Sequence, residues 1–408
     1  MFFILSFSKW EISIIMNTIM QRQKIIVISS VLVDVIGFGI VIPILPFYVT
    51  EFGASATTIT LLFATFSFFS FLSAPLLGAW SDRIGRRPIF LLSVVSTAIG
   101  WFVFASASSL QLLFLGRIID GLAAGNMTTA QSYMVDLAKD EKERTANIGL
   151  IGAAFGVGLI LGPLIGGVLS KISHSFPFWM AGALAATNAV SAFFFLPETH
   201  HKRDSRRPMS FNPIVPLARA AQDKKLRPLY LTWSFFSFAF VTNQAIFGLF
   251  VKDVFGFSAF RTGMLFTISG VIVVTNQAFL LNKFWLVKFT ESRLEIIMLV
   301  ALAMSSLLVS TEILPLFYLS FLGSGTGQAI LRVVITSQVA AAADPSKKGE
   351  TIGILAALMS AYMVIAPILA GLMYEIHYSA PYILSAVLLI LGIYFALMFK
   401  RRRAISSA

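Results

Sequence analysis

The chain has 408 residues, of which 57% are hydrophobic and only 12% are charged. A soluble domain carries about 25% charged residues, so this composition cannot provide a water-soluble surface. Soluble enzymes, disordered chains and disulfide scaffolds are therefore excluded, the last also because cysteine is absent. The net charge of +12 does not indicate nucleic-acid binding, because the basic residues lie in short segments between long apolar runs.

Twelve apolar runs are long enough to be membrane-spanning helices. Each exceeds the roughly 17 residues that a helix needs to cross the hydrocarbon core of a bilayer. Backbone groups in lipid must be paired within the segment, which favours helices. We therefore predict an all-α integral membrane protein in contact with the lipid bilayer. The predicted spans are residues 25–48, 57–80, 88–108, 111–137, 147–170, 177–196, 229–251, 259–281, 294–311, 314–341, 350–373 and 379–399.

The polar segments divide the chain into five parts. Residues 1–24 contain Lys9 and Glu11, which interrupt an apolar stretch, and are predicted to be a cytoplasmic N-terminal arm. Residues 197–228 are rich in charge and proline, which is typical of a linker. The linker separates two six-helix bundles, and a basic cytoplasmic tail ends the chain. The bundles are residues 25–196 and 229–399, and the tail is residues 400–408.

Lysine and arginine are distributed unequally between the two sides of the predicted membrane. Twenty-six of them lie in the termini, the linker and the loops of one side, whereas Lys171, Lys252 and Arg261 lie on the other. Cytoplasmic loops carry the excess of basic residues. We therefore expect both termini in the cytoplasm and a location in a bacterial plasma membrane.

The two predicted bundles share short sequences at a constant spacing. Residues 140–149 read DEKERTANIG, and residues 344–353 read DPSKKGETIG. An internal repeat of six helices is typical of transporters whose substrate binds between two bundles near the bilayer midplane. The repeat therefore predicts two pseudo-symmetric bundles around a central cavity.

The loop after the second span carries a specific motif. Residues 78–88 read GAWSDRIGRRP, in which Gly78 permits close helix approach and Gly85 permits a tight turn. Asp82 and three arginines place opposite charges at the end of the span. A plain basic loop would explain the arginines but not the full G-x-x-x-D-R-x-G-R-R spacing.

This loop resembles the signature loop of the major facilitator superfamily. Residues 115–125 (LGRIIDGLAAG) resemble the helix-four motif of that family, and residues 152–167 resemble the helix-five motif of its drug–proton antiporters. Residues 197–199 resemble the end of helix six, and residues 31–48 are similar to the first helix of tetracycline-efflux and multidrug exporters. The resemblance implies a twelve-helix major facilitator fold and proton-driven export.

The resemblance also implies a conformational latch in the signature loop. In relatives the loop aspartate stabilises an outward-facing state by contacting the start of helix eleven, and a loop arginine pairs with the acidic residue that ends helix four. Carried over, Asp82 faces the span that begins near Glu350, and Arg86 or Arg87 pairs with Asp136. The candidate latch residues are Gly78, Asp82, Arg83, Gly85, Arg86, Arg87 and Asp136.

The fifth span is rich in glycine and contains one proline. Glycine permits tight helix packing, and proline removes a backbone hydrogen bond and can kink the helix. These residues predict a hinge against span eight of the other bundle, or alternatively ordinary packing of small residues without a role in gating. The residues are Gly152, Gly156, Gly162, Pro163, Gly166 and Gly167.

Ionisable residues within a span are costly and mark functional sites. Asp34 lies in span one, where relatives carry an acidic residue that takes part in coupling. A desolvated carboxylate can take up a proton near neutral pH, so Asp34 is the predicted proton carrier, with a static ion pair to Arg117 as the alternative. Asp120 lies on nearly the same helix face as Arg117 and is either its standing partner or a second proton site.

Polar residues inside the spans are candidates for substrate contacts. Arg332, the only ionisable residue predicted well inside a C-terminal span, either meets an anionic or carbonyl-rich substrate or pairs with a backbone carbonyl. Side-chain amides more often form hydrogen bonds between helices. Some of Phe66, Phe235, Phe236 and Phe240 are also expected at the cavity. The candidate polar residues are Asn126, Gln131, Asn243, Gln244, Asn276, Gln277, Gln328 and Arg332.

The chain departs from the tetracycline exporters in its C-terminal half. Those proteins use a histidine in helix eight and an aspartate in helix nine, and the aligned positions here are Thr275 and Met304. Neither side chain takes up a proton near neutral pH. Coupling is therefore expected in the N-terminal bundle, and the departure argues against tetracycline as the substrate.

The predicted function is secondary active transport without a cofactor or a metal. The sequence has no G-x-x-x-x-G-K-[ST] loop for a nucleotide, and its four histidines lie outside the apolar runs. We expect a monomeric, non-enzymatic antiporter that uses the proton gradient to export small lipophilic compounds. The alternatives are a proton-coupled symporter for a nutrient or metabolite, and a receptor or scaffold on the same fold that has lost transport.

Overall fold

The computed structural model describes residues 9–200 and 214–407, and within them the chain is helical with no β-strand. The predicted all-α fold is confirmed for this part of the chain. The helices are α1 (Lys9–Thr50), α2 (Ala56–Ile84), α3 (Arg86–Ala105), α4 (Leu110–Leu122), α5 (Asn126–Asp136), α6 (Glu141–Leu169), α7 (Phe176–Phe195), α8 (Val215–Gln222), α9 (Arg227–Asp253), α10 (Ala259–Thr275), a π-helix (Asn276–Trp285), α11 (Leu286–Lys288), α12 (Glu291–Ser310), α13 (Leu314–Ala342), a short 3₁₀ helix (Pro345–Lys347), α14 (Lys348–Ile376) and α15 (Ala380–Ser407).

Ten helical segments in the described residues are long and apolar enough to cross a bilayer. The fourth predicted span, 111–137, was expected to be one helix, but the structure divides it into α4 and α5, with a break at residues 123–125. The tenth predicted span corresponds to α13, which has 29 residues. With these two, the described part of the chain contains the twelve predicted crossings.

Several helices extend beyond their predicted spans, and α15 continues to Ser407, through most of the predicted tail. The first helix begins at Lys9, so residues 9–24 of the predicted arm continue α1, and residues 1–8 lie outside the described part. The eighth span continues past its predicted end at residue 281 as a π-helix. The Asn276 side chain donates to the Ile272 carbonyl at 2.9 Å and accepts from the Trp285 indole at 3.0 Å, and both bonds stabilise this wider turn.

The two bundles repeat one packing arrangement. In the N-terminal bundle α1 packs against α6 and α7, and α3 packs against α7. In the C-terminal bundle α9 packs against α14 and α15, and α12 packs against α15. These helices occupy equivalent places in the two halves, as the internal repeat predicts. The linker between the halves contains α8, and residues 201–213 lie outside the described part.

The bundles meet along two main seams, α2 against α14 and α6 against α10. We call the side of the membrane that carries α8 the linker side, and the side that carries the loops at residues 51–55 and 377–379 the opposite side. On the opposite side the seams are closed. The Thr57 backbone N–H donates to Glu375 at 3.0 Å, and Gly263 lies directly against Gly167.

On the linker side the helix ends stand apart. A Cβ atom added to Gly78 of α2, Gly152 of α6 or Gly353 of α14 would have no described atom within 4 Å beyond its own helix. The cleft between the bundles is therefore open toward the linker side and closed toward the opposite side.

Candidate transport site

Asp34 lies in α1 beside the start of α5. Its side chain is half-buried, and the Asn126 side chain lies close to the Asp34 carboxyl group. Asn126 also donates to the Thr97 hydroxyl at 3.3 Å, while its own carbonyl oxygen is buried without a partner. The break before α5 places this amide at a helix start, where it is free to contact α1.

Arg117 is a buried guanidinium held by aromatic rings and one carboxylate. Its central carbon lies 4.4 Å from the Trp101 ring centroid and 4.6 Å from that of Phe104. Its Nη1 lies 3.7 Å from Asp120 Oδ2, and the exposed side-chain fractions are 5% for Arg117 and 9% for Asp120. The partner of Arg117 is therefore Asp120, and the ion pair considered between Asp34 and Arg117 is not formed among the described residues.

The interruption of span four is stabilised by hydroxyl groups. A break in a helix leaves backbone carbonyls without their usual donors. Ser73 donates to the Gly121 carbonyl at 2.8 Å, and Ser96 donates to the Ile119 carbonyl at 2.7 Å. A Cβ atom at Gly125 would lie 3.0 Å from Leu77, so the break also needs small residues.

Arg86 is the centre of the signature loop. Its Nη1 lies 2.5 Å from Asp82 Oδ1, and its Nε lies 3.2 Å from Asp136 Oδ2. Of the two arginines considered for Asp136, Arg86 is the one that the structure places there. Arg87 instead donates to the Phe193 carbonyl at 2.7 Å.

Glu198 stabilises the start of α3. Its carboxylate accepts the backbone N–H groups of Arg86 at 2.8 Å and Arg87 at 3.3 Å, two of the donors that a helix start leaves unpaired. Gly85 has a φ of +114°, and a Cβ there would collide with Glu198. The sequence motif at residues 197–199 gave no indication of this contact.

The structure does not place Asp82 against the start of α14. Glu350 pairs with Arg219 of α8 at 2.5 Å, and Asp82 pairs with Arg86. The contact is expected in an outward-facing state, so it stays a prediction for that state. In the conformation described here, the open linker side separates the end of α2 from the start of α14.

The candidate hinge residues of α6 face both α1 and α10. A Cβ at Gly162 would lie 2.7 Å from the Ile36 carbonyl of α1, and one at Gly166 would lie 3.2 Å from Ile44. On the other face, a Cβ at Gly263 of α10 would lie 2.6 Å from the Pro163 carbonyl. Gly152 has open space around it, and a Cβ at Gly156 would lie 3.7 Å from Val274.

A central cavity lies mainly in the C-terminal bundle. It encloses about 1210 Å³ not filled by atoms, counting the part open to solvent. Gly39 and Ile42 of α1 and Leu159 and Pro163 of α6 form its N-terminal wall. The rest is aliphatic and aromatic with scattered polar groups, and it includes Phe236, Phe240, Phe247, Asn243, Gln244 and Gln328.

Only part of the predicted substrate set lines this cavity. Asn243, Gln244 and Gln328 do so, as do Phe236 and Phe240. The remaining candidates, five polar side chains and two aromatic ones, lie outside this lining. These are Asn126, Gln131, Asn276, Gln277, Arg332, Phe66 and Phe235.

Several candidates outside the lining have other neighbours. Gln277 donates to the Ala329 carbonyl at 3.1 Å, which is an interhelical packing bond. Gln131 is exposed. Arg332 is exposed one helical turn beyond Gln328 toward the linker side, with its guanidinium 5.8 Å from the Phe240 ring centroid. Arg332 therefore lies near the linker-side edge of the cavity.

The sequence reasoning missed two features of the C-terminal bundle. The first is a set of serine hydroxyls on the cavity wall, which give no signal in an apolar run. The second is Glu295, which lies at the start of the predicted span 294–311 and is 2% exposed. The serines are Ser269, Ser305, Ser306, Ser320 and Ser324.

Comparison with known proteins agrees with this architecture. The chain is 30% identical to the class C tetracycline resistance protein of Escherichia coli, over 87% of this chain and 90% of that protein. It is 24% identical to the quinolone resistance protein NorA of Staphylococcus aureus, over 94% of this chain and 98% of that protein. Among solved structures, the human organic anion transporter MFSD10 superposes with a TM-score of 0.68 at 24% identity, covering 92% of this chain and 99% of that one.

The family model of the Major Facilitator Superfamily matches residues 27–289 and 278–407. These two matches together span both bundles and the linker. The twelve crossings, the repeated packing and the cavity between the halves fit the same family. The chain therefore belongs to the major facilitator superfamily of membrane transporters.

Proposed function

We propose that this chain exports small lipophilic compounds in exchange for protons, by alternating access of the central cavity to the two sides of the membrane. The relatives named for tetracycline and quinolone resistance support export. The structure supports alternating access because the seams are closed on one side and open on the other.

One observation carries the proton coupling. Asp34 is a half-buried carboxyl group inside the bundle, and none of the described cations forms an ion pair with it. Arg117 is occupied by Asp120. A carboxyl group without a cationic partner in a poorly hydrated place is suited to bind and release a proton. Asp34 is therefore the proposed proton carrier, and the Arg117–Asp120 pair is its fixed electrostatic neighbour.

The cavity supports a lipophilic substrate with a few hydrogen-bonding groups. Phe236, Phe240 and Phe247 offer aromatic faces, while Asn243 and Gln328 offer amides. Binding sites of this kind bury most of a ligand against apolar side chains and orient it with a few polar groups. Thr275 and Met304, which replace the protonatable residues of tetracycline exporters, are both exposed and do not line the cavity.

We propose that the linker side faces the cytoplasm, since it carries most of the basic residues. The described conformation then admits substrate from the cytoplasm.

The proton gradient supplies the energy, without a cofactor. One charge crossing about 100 mV releases about 2.3 kcal/mol, which supports roughly 50-fold accumulation at equilibrium. A single chain forms the whole cavity, which is consistent with a monomer.

Transport by Asp34→Asn in inverted vesicles with an imposed pH gradient tests this proposal. With tetracycline and a quinolone as probes, we expect the wild type to accumulate at least one probe and the variant to lose gradient-driven accumulation while it still binds that probe. Glu141→Gln, which alters a side chain that is 89% exposed, is the control and keeps transport.

Two results would contradict the proposal. Normal gradient-driven transport by Asp34→Asn would show that Asp34 is not the proton carrier. Movement of a probe in the same direction as the proton would instead establish symport.

A further inference from the structure

Glu295 is a carboxyl group buried at the linker side of the C-terminal bundle. It lies one turn after Glu291, which begins α12. The adjacent Leu294 and Met298 belong to the apolar core of this bundle. Only 2% of Glu295 is exposed, so water does not solvate its charge.

The single hydrogen-bonding partner of Glu295 among the described residues is Gln338 of α13. The Gln338 amide donates to Glu295 Oε2 at 2.8 Å, and Gln338 is itself 2% exposed. The other oxygens of the two side chains, Glu295 Oε1 and Gln338 Oε1, are both buried without a partner. Each is an acceptor when the carboxyl group is ionised.

Among the described residues, no cation forms an ion pair with Glu295. Glu291 is the charged neighbour on α12, and its carboxylate accepts from the Ser337 hydroxyl at 2.8 Å. On α15, which also packs against α12, the basic residues Lys400 and Arg401 are exposed, and neither forms an ion pair with Glu295. A buried carboxylate without a cation or a full set of donors is strongly disfavoured.

A single proton bound to Glu295 neutralises its charge and gives both unpaired oxygens a hydrogen-bonding partner. A proton bound to Glu295 Oε1 can be donated to Gln338 Oε1 while the Gln338 amide continues to donate to Glu295 Oε2. The two side chains then form a closed acid–amide pair with two hydrogen bonds, and neither buried acceptor is left over.

We propose that Glu295 is a second proton-binding site of this transporter, occupied in the linker-side-open conformation and formed as an acid–amide pair with Gln338. The site goes beyond the proposed function of Asp34, because it lies in the other bundle and does not line the cavity. It joins α12 to α13 where Arg86 and Asp136 join α3 to α5 in the N-terminal bundle. The contact in the N-terminal bundle is an ion pair, whereas the contact in the C-terminal bundle depends on a bound proton.

Infrared spectroscopy of the purified full chain in lipid tests the site. A protonated carboxyl group has a carbonyl stretch that is separate from the carboxylate and amide bands and shifts in D₂O. We expect such a band at neutral pH in the wild type, and its specific loss in Glu295→Gln. This substitution keeps the shape of the side chain and can still pair with Gln338.

Two further variants test whether the band arises from Glu295 paired with Gln338. Gln338→Leu removes the partner, so the Glu295 band should move to the higher frequency of an acid without a hydrogen-bonded carbonyl. Asp34→Asn should leave the band unchanged, which separates this site from the proposed carrier and from the outcome of any transport assay. Identical spectra for the wild type and Glu295→Gln, or an unmoved band in Gln338→Leu, would overturn the proposal.

Discussion

Arg117 shows how one residue can keep its charge within an apolar bundle. Two of its guanidinium nitrogens have no hydrogen-bonding partner, yet Trp101 and Phe104 cover its faces within 4.6 Å. Cation–π contacts of this kind become stronger when water is excluded. The guanidinium therefore depends on Asp120 for its counter-charge and on two rings for the rest of its environment.

Removing only one member of this pair should destabilise the protein. Arg117→Leu leaves Asp120 as a buried charge without a cation, and breaking a buried pair in this way costs about 3–5 kcal/mol. Thermal unfolding in detergent should therefore show a clear drop in the midpoint for Arg117→Leu.

The double variant Arg117→Leu/Asp120→Leu is the matched control. It removes both charges, so its midpoint should lie between those of Arg117→Leu and the wild type. A lower unfolding midpoint for the double variant than for Arg117→Leu would show that the unpaired charge of Asp120 is not what destabilises the single variant.

The individual charged residues of the N-terminal bundle could be predicted because an ionisable residue stands out within an apolar run. This reasoning found Asp34, Arg117 and Asp120, and the motif found Arg86. It missed Glu295, because this residue lies at the very start of the predicted span 294–311, beside Glu291 and Arg293. Burial depends on how α12 packs against α13, and one sequence does not show this packing.

At the scale of helices, the α6–α10 seam depends on the absence of side chains. A Cβ at Gly263 would lie 2.9 Å from the Gly167 Cα and 2.6 Å from the Pro163 carbonyl. Backbone atoms cannot rotate away as a flexible side chain can. The closed seam on the opposite side therefore requires glycine at position 263.

Gly263→Ala should shift the equilibrium away from the conformation that is open on the linker side. A cysteine introduced at Gly353, where space is open, reports this shift. It should react more slowly with a maleimide in the Gly263→Ala background than in the wild-type background. The chain has no other cysteine to react.

Gly152→Ala is the control for this experiment, since a Cβ there meets no described atom within 4 Å beyond its own helix. It should leave the labelling rate unchanged. Equal rates in the Gly263→Ala and wild-type backgrounds would show that the seam tolerates the methyl group.

Helix positions followed from the apolar runs, but helix interruptions did not. The break at residues 123–125 has no proline, and its carbonyls are satisfied by Ser73 and Ser96 from other helices. The π-helix after α10 depends on the contact between Asn276 and Trp285. Both features arise from side-chain bonds that depend on three-dimensional proximity.

For the whole molecule, closure of the opposite side defines the conformation. The α2–α14 seam is tied there by the bond between the Thr57 backbone and Glu375, and Lys252 of α9 donates to Thr50 of α1 at 2.9 Å. The internal repeat predicted two bundles, but a sequence compatible with several conformations cannot indicate which side is closed.

The variant Thr57→Cys/Glu375→Cys tests whether transport requires this side to open. Oxidation should form a disulfide across the seam and stop transport of the probe identified in the vesicle assay, and a reducing agent should restore it. Each single-cysteine variant, treated with the same oxidant, should continue to transport. Unimpaired transport by the cross-linked protein would show that opening here is not required.

Glu198 holds the start of α3 and lies just before the linker. Because Glu198 is fixed to α3, a change in the linker beyond it should not distort the signature loop. Lengthening or shortening the linker should instead alter how far the two bundles can move relative to each other. We therefore expect the length of this segment to set how far the two bundles can move relative to each other, whatever compound is transported.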